Sequence, residues 1–107
     1  MRVLTVALVT GAAEACAFYD QCRCTMANNE INNTITGLAK DYLEAHDHNI
    51  RSAWSTWEDG NNTAWIKLNQ NGQDVAISNC KIREACTEVG ATGEDSWCET
   101  KNQGLVG

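Results

Sequence analysis

A chain of 107 residues carrying 8 lysines and arginines against 14 aspartates and glutamates has a net charge of -6. That length accommodates one small domain with a limited core. The acidity, with basic residues scattered singly and only Lys81 and Arg83 close together, excludes nucleic acid as an expected partner.

The chain opens with a minimal positive start, Met1-Arg2, then an apolar run over residues 3–9 interrupted only by Thr5. Ala13-Glu14-Ala15 follows as a small-x-small cleavage site directly before Cys16. These features predict a signal peptide over residues 1–15 and a secreted, extracellular mature chain. A lipoprotein box at Cys16 would want a larger apolar residue where Ala13 stands. The alternative of a cytosolic first strand, "RVLTVALV", would leave six thiols in a reducing environment without a recognisable metal pattern. Removing the leader takes away one base, Arg2, and one acid, Glu14, so the charge stays at -6. Nothing else in the sequence is apolar and long enough to span a bilayer.

Residues 16–107 read as a single disulfide-stabilised domain, with no internal repeat and no proline. In "CAFYDQCRCTM" an extended backbone places Cys22 and Cys24 on one face, because strand side chains alternate. "NNEINN" is turn chemistry. Ile35, Leu38, Ala39, Tyr42 and Leu43 then recur at helical spacing, predicting a helix over 34–46 capped by Asn33 or Thr34. Gly37 within it costs about 1 kcal/mol relative to alanine.

Three strands are expected next, from "NIRSAWSTWE", "NTAWIKLNQ" and "QDVAIS", separated by the turn signals Asp59-Gly60-Asn61-Asn62 and Asn71-Gly72. In the second, Ala64, Ile66 and Leu68 share one face while Trp65 and Lys67 share the other. Trp54 and Trp57 have opposite parity, so at least one tryptophan is expected off the main core. A second helix is predicted from Asn79 as N-cap to Gly90 as stop, with Ile82, Ala85, Cys86 and Val89 on its apolar stripe. The fold class is therefore α+β: a small disulfide-rich domain with an antiparallel β-meander and two short helices.

Six cysteines is an even set, read as a disulfide framework of Cys16, Cys22, Cys24, Cys80, Cys86 and Cys98. On the second helix Cys80 lies about 120° around the axis from Cys86, so the two are expected to reach different partners. The C-x5-C, C-x-C and C-x11-C spacings do not match zinc knuckles, and an even set leaves no free nucleophilic thiol. No metal and no cofactor is expected. Each bridge contributes about 3–4 kcal/mol in the chain-entropy model. Fifteen pairings remain possible.

Asn32 and Asn61 each head an N-glycosylation sequon in a turn. Trp54, Trp57 and Trp65 are ligand-binding candidates, as a platform for sugar rings, against a structural role in the core. His46-Asp47-His48 offers two imidazoles for a metal, or a solvated helix end. A ribonuclease reading would cast His46, His48, Arg51 and Glu58 as acid, base and phosphate ligand, but nothing places a second base across a cleft. No catalytic residue is assigned, and the chain is not expected to be an enzyme.

The opening "CAFYDQCRCTMANNEINNTIT" and the ending "AISNCKIREACTEVGATGEDSWC" together resemble the small secreted cysteine-rich proteins of filamentous fungi, of the elicitor or effector type recognised by plants. The resemblance covers both ends of the mature chain and rests on the C-x5-C-x-C start and the N-C-x-x-R-x-A-C-x-x-x-G-A-T-G-x-D-S-x-C close. It implies secretion, structural roles for all six cysteines, no catalysis, and action by binding a host protein, a receptor or a cell-wall glycan. A chitin- or glycan-binding module and a small secreted ribonuclease-like enzyme are the alternatives. Residues 25–79 contain no cysteine, unlike relatives with an additional central pair, so the meander is expected to be held by packing alone.

Overall fold

The computed structural model describes residues 16–47 and 52–101. The expected leader at residues 1–15, as well as His48 and Arg51, lies outside them. The described elements are β1 (Phe18–Arg23), a 3-10 turn (Ala27–Asn29), α1 (Asn33–His46), β2 (Ser52–Glu58), β3 (Ala64–Gln70), β4 (Gln73–Val75), β5 (Ile77–Ser78), α2 (Asn79–Glu88) and β6 (Trp97–Lys101). Six antiparallel strands form one sheet with both helices packed on its core face, the α+β arrangement expected.

The meander forms as its turn residues dictate. β2 and β3 pair along their full length, from Ser52 opposite Gln70 to Glu58 opposite Ala64. Between them the Asp59 carboxylate accepts from the backbone N–H groups of Asn61 (2.8 Å) and Thr63 (3.1 Å), while Asn62 takes a positive φ of 61°. The β3–β4 turn has positive φ at both Asn71 (55°) and Gly72 (81°), the geometry a two-residue type I′ hairpin requires. The third expected strand is broken at Ala76 into β4 and β5, which serve different neighbours: β4 pairs with β3, and β5 with β1.

β1 is the central strand. Cys22 faces Ile66 of β3 on one side and Cys98 of β6 on the other, and Tyr19 likewise lies between Ile77 of β5 and Lys101 of β6. A strand has only two edges, so β3 and β5 share one edge of β1 and β6 takes the other. β6 lies in a stretch, residues 97–101, for which the sequence pattern predicts no element.

Both helices begin one residue earlier in register than their expected caps. Asn32, rather than Asn33 or Thr34, caps α1 by accepting from the Ile35 N–H at 3.0 Å. Ser78, not Asn79, caps α2 by accepting from the Cys80 N–H at 3.2 Å. The physical reason is the same in both: the asparagine is recruited to a tertiary bond. Asn33 donates to the Asn62 carbonyl (2.7 Å) and accepts from the Ala64 N–H (2.8 Å), and Asn79 accepts from the Ala17 N–H (2.9 Å). α2 stops at Gly90, whose φ is +102°, with the Ala91 N–H returning to the Cys86 carbonyl at 2.9 Å.

The core lies between the sheet and the helices. Ile66, Ile77 and Ile82 are completely enclosed, flanked by Ala39 and Leu43 of α1 and by Trp54 of β2. Leu38, on the expected apolar stripe, is instead exposed, and Thr36 is fully buried in the same turn of α1. Thr36 is drawn inward because its hydroxyl accepts the buried N–H of Cys24 (3.2 Å), a donor just beyond the end of β1.

The six cysteines pair as Cys16–Cys80, Cys22–Cys98 and Cys24–Cys86, with Cα separations of 5.6, 4.0 and 5.4 Å. Cys80 and Cys86 do reach different partners, and Cys22 and Cys24 are both fully buried. Every bridge runs from the β1 segment to α2 or β6, so the meander is fixed by packing and hydrogen bonds. Three disulfides in a domain of this size are typical of extracellular proteins. No described helix is long and apolar enough to cross a membrane.

Candidate functional site

The helices pack on one face of the sheet; the opposite face is open at its two ends, where Trp57 and Trp97 are exposed. Strand register determines what that open face presents. Ile66 and Cys22 point into the core, so the adjacent Trp65 and Arg23 point outward; Cys98 is bridged to Cys22, so Trp97 also points outward. Trp57 is the direct partner of Trp65, Arg23 falls beside Trp65, and Trp97 is the direct partner of Arg23. Trp57, Trp65, Arg23 and Trp97 therefore form one row across four neighbouring strands.

The row is held by cation–π contacts. The Arg23 guanidinium lies 5.7 Å from the Trp65 ring and 5.5 Å from the Trp97 ring, and the Lys67 ammonium lies 5.5 Å from the Trp57 ring. Contacts of this kind contribute about 0.5–1 kcal/mol when exposed and about 2 when desolvated. The centre is closed, with Trp65 at 4% and Arg23 at 7% exposure, while the ends are open, with Trp57 at 41% and Trp97 at 45%. Burial pulls the Arg23 guanidinium below its usual pKa and the Glu99 carboxylate opposes this, yet arginine stays charged at any physiological pH.

Asp59 orients the central indole. Its second carboxylate oxygen accepts from Trp65 Nε1 at 2.8 Å, and that bond, followed by the Thr63 and Asn61 amides, lowers its pKa below the ordinary 3.8. A depressed folded-state value means that the bond stabilises the native turn above the unfolded pKa and is lost as pH falls through the folded one. Trp65 fluorescence is therefore expected to hold constant down through the ordinary carboxylate range and to change only below it. In Asp59→Asn the altered spectrum is expected already at neutral pH, without that acid transition. A parent transition centred at the ordinary carboxylate value would contradict the assignment.

Beside Trp97 the open face runs into a cleft. The loop over residues 25–29 and the loop over residues 92–97 are joined by three bonds: Gly93 N–H to the Thr25 carbonyl (2.9 Å), Ala27 N–H to the Thr92 hydroxyl (2.9 Å), and the Thr25 hydroxyl to the Asp95 carbonyl. They enclose an open space of about 500 Å³, and a second hollow of about 250 Å³ lies across Asp95, Ser96 and Trp97. Asn28 and Asn29 both adopt positive φ, 65° and 62°, at the rim of the larger one.

The residues singled out from sequence separate as follows. Trp57 and Trp65 stand together on the open face. Trp54 sits on the core face at 5% exposure, its indole N–H without a partner among the described residues. Asn61 lies in the exposed β2–β3 turn, and Asn32 caps α1; Asn33 binds these two sequon-bearing segments together. His46 ends α1, its ring stacked on Tyr42 at 4.1 Å and its Nδ1 3.0 Å from the Tyr42 carbonyl oxygen. Glu58 ends β2, about 20 Å of strand beyond Ser52 at the usual rise per residue. A hollow of about 260 Å³ beside His46 contains Lys81, which is paired with Asp47 at 3.2 Å.

Two members of the row, Arg23 and Trp97, are not among the residues that the sequence suggested. Trp97 carries a weak signal: with Glu99 it flanks Cys98 at strand spacing, and its Nε1 donates to Glu99 at 3.4 Å. Comparison with protein-family models, with curated proteins and with solved structures finds no match, so the functional reading rests on this geometry and on the sequence.

Proposed function

We propose that the chain is a secreted, disulfide-stapled protein that acts by binding rather than catalysis, in the manner of a fungal effector or elicitor at the host or cell-wall interface. The open face of the sheet is the binding surface. The observation that carries this reading is the row of Trp57, Trp65, Arg23 and Trp97: a solvent-facing end at each side, with the centre locked by a buried guanidinium. Aromatic and arginine side chains that are already ordered lose little entropy on binding and dominate recognition surfaces. Secretion is supported by the leader-like start and the three bridges. The two sequons are proposed glycan attachment points, with Asn61 in the more accessible turn.

The test is infiltration of the oxidised protein into plant tissue. The parent is expected to trigger a host response that the Trp57→Ala/Trp97→Ala double variant loses at equal folded concentration. A double variant as active as the parent would remove the open face from the account. RNA degradation by the parent, abolished by His46→Ala, would overturn binding in favour of catalysis.

A further inference from the structure

The cleft between residues 25–29 and 92–97 is more specific in its chemistry than the flat row it adjoins. Among the described residues, no lysine, arginine or histidine lines it. An anionic ligand would therefore meet the Glu94 and Asp95 carboxylates, with Arg83 at 3.8 Å from Asp95 and Arg23 against the Trp97 ring as cations only at its border, on a chain already at -6. Its apolar lining is restricted to Met26, Ala27 and the Trp97 ring, too little to desolvate a lipid or a hydrophobic side chain.

What the cleft offers is carboxamides, hydroxyls and carboxylate acceptors around one aromatic wall. Asn28 and Asn29 are held in the left-handed region, and Thr92, Glu94 and Ser96 complete the polar lining. The Asp95 carboxylate is partly committed, accepting from the Ser96 N–H at 2.7 Å and lying 3.8 Å from Arg83. A ring with hydroxyls at its edge and C–H bonds on its faces matches such a site: hydroxyls bond to the polar lining while the C–H face stacks on the indole. The volume of about 500 Å³ falls within the range of about 300–1,000 Å³ usual for small-ligand sites.

We infer that this cleft, with Trp97 as its stacking wall, binds a neutral linear oligosaccharide, whose chain continues along the open face toward Trp57. Trp57 and Trp97 are three strand spacings apart, about 14 Å, a distance that successive sugar rings of a linear glycan can follow. The inference rests on the binding reading above and names the ligand class of that surface.

The experiment is a titration of the oxidised full chain with chitotetraose and with cellotetraose, followed by backbone amide chemical shifts and tryptophan fluorescence. An acidic oligogalacturonate serves as the charged counterpart. Saturable shifts confined to residues 25–29, 92–97 and the row are expected with a neutral probe. Affinity should fall at least tenfold in Trp97→Ala, fall less in Trp57→Ala, and stay unchanged in Leu38→Ala, whose site lies exposed on α1. The inference is overturned if neither neutral probe binds, if the oligogalacturonate binds more tightly, or if Trp97→Ala binds like the parent. Absence of glycan binding with a tissue response that still depends on Trp57 and Trp97 would remove the glycan and leave the binding face standing. A response indifferent to both tryptophans would remove the face itself.

Discussion

Replacing Cys24 and Cys86 together by alanine is expected to lower unfolding stability by about 3 kcal/mol from chain entropy alone, with a further loss from packing. The isolated bridge spans a separation of 62 residues, for which the loop-closure estimate is about 4 kcal/mol. The neighbouring bridge shortens that loop. With Cys22–Cys98 intact, the path from Cys24 to Cys86 runs two residues back to Cys22, across the bridge, and twelve residues back from Cys98. A closed loop of about 14 residues contributes about 3 kcal/mol. The same arithmetic holds for Cys16–Cys80 with Cys24–Cys86 intact, through eight residues on one side and six on the other.

What separates the two bridges is burial. Cys24 and Cys86 are buried at 0% and 3% exposure, whereas Cys16 is exposed. The Cys16/Cys80 alanine pair should therefore show the entropic loss without the cavity loss, and denature at a higher denaturant concentration than the Cys24/Cys86 pair. Denaturant unfolding of the two variants measures both numbers. Equal midpoints would show that core packing around the Cys24–Cys86 sulfurs contributes nothing. A loss under 1 kcal/mol for either would contradict the entropic account. Against a typical total of about 5–15 kcal/mol, reduction of all three bridges should unfold the domain.

Gly93→Ala is expected to destabilise the protein by about 1–3 kcal/mol and to disrupt the cleft, while Gly37→Ala stabilises it by up to about 1 kcal/mol. The opposite signs follow from the surroundings. A Cβ on Gly93 would lie 2.8 Å from the Thr25 carbonyl carbon and overlap the Thr25 hydroxyl, and backbone cannot swing aside as a side chain can. Relief requires the two loops to part, which breaks the Gly93–Thr25 bond and moves Trp97. A Cβ on Gly37 meets nothing within 4 Å, so only the helix propensity changes. Thermal unfolding of both variants, read beside the tryptophan spectrum, checks the pair. A Gly93→Ala protein with parental stability would mean that the loops are not held at that separation.

Periodicity made the layers legible. The 3.6-residue pattern of Ala39 and Leu43, the alternation of Ile66 and Leu68 against Trp65, and the Asn71-Gly72 turn all express local physics, and each element formed where that physics placed it. The caps shifted by one residue because Asn33 and Asn79 had a tertiary use that no local pattern encodes. β6 was invisible for a related reason: residues 97–101 become a strand only because β1 offers them an open edge. Arg23 and Trp97 then join the tryptophan row through register between strands that are distant in sequence. The helix geometry showed that Cys80 and Cys86 have different partners, but selecting one of fifteen pairings required the β1–β6 contact.

The secreted, triply bridged state is tested most directly by the intact mass of the protein taken from its native secretion medium, before and after reduction. The expected polypeptide begins at Cys16 and gains one hydrogen at each of its six cysteines on reduction, with any glycan mass assigned to Asn61 or Asn32. A retained residue 1–15 segment, or six free thiols before reduction, would contradict the proposed extracellular staple and with it the proposed binding face.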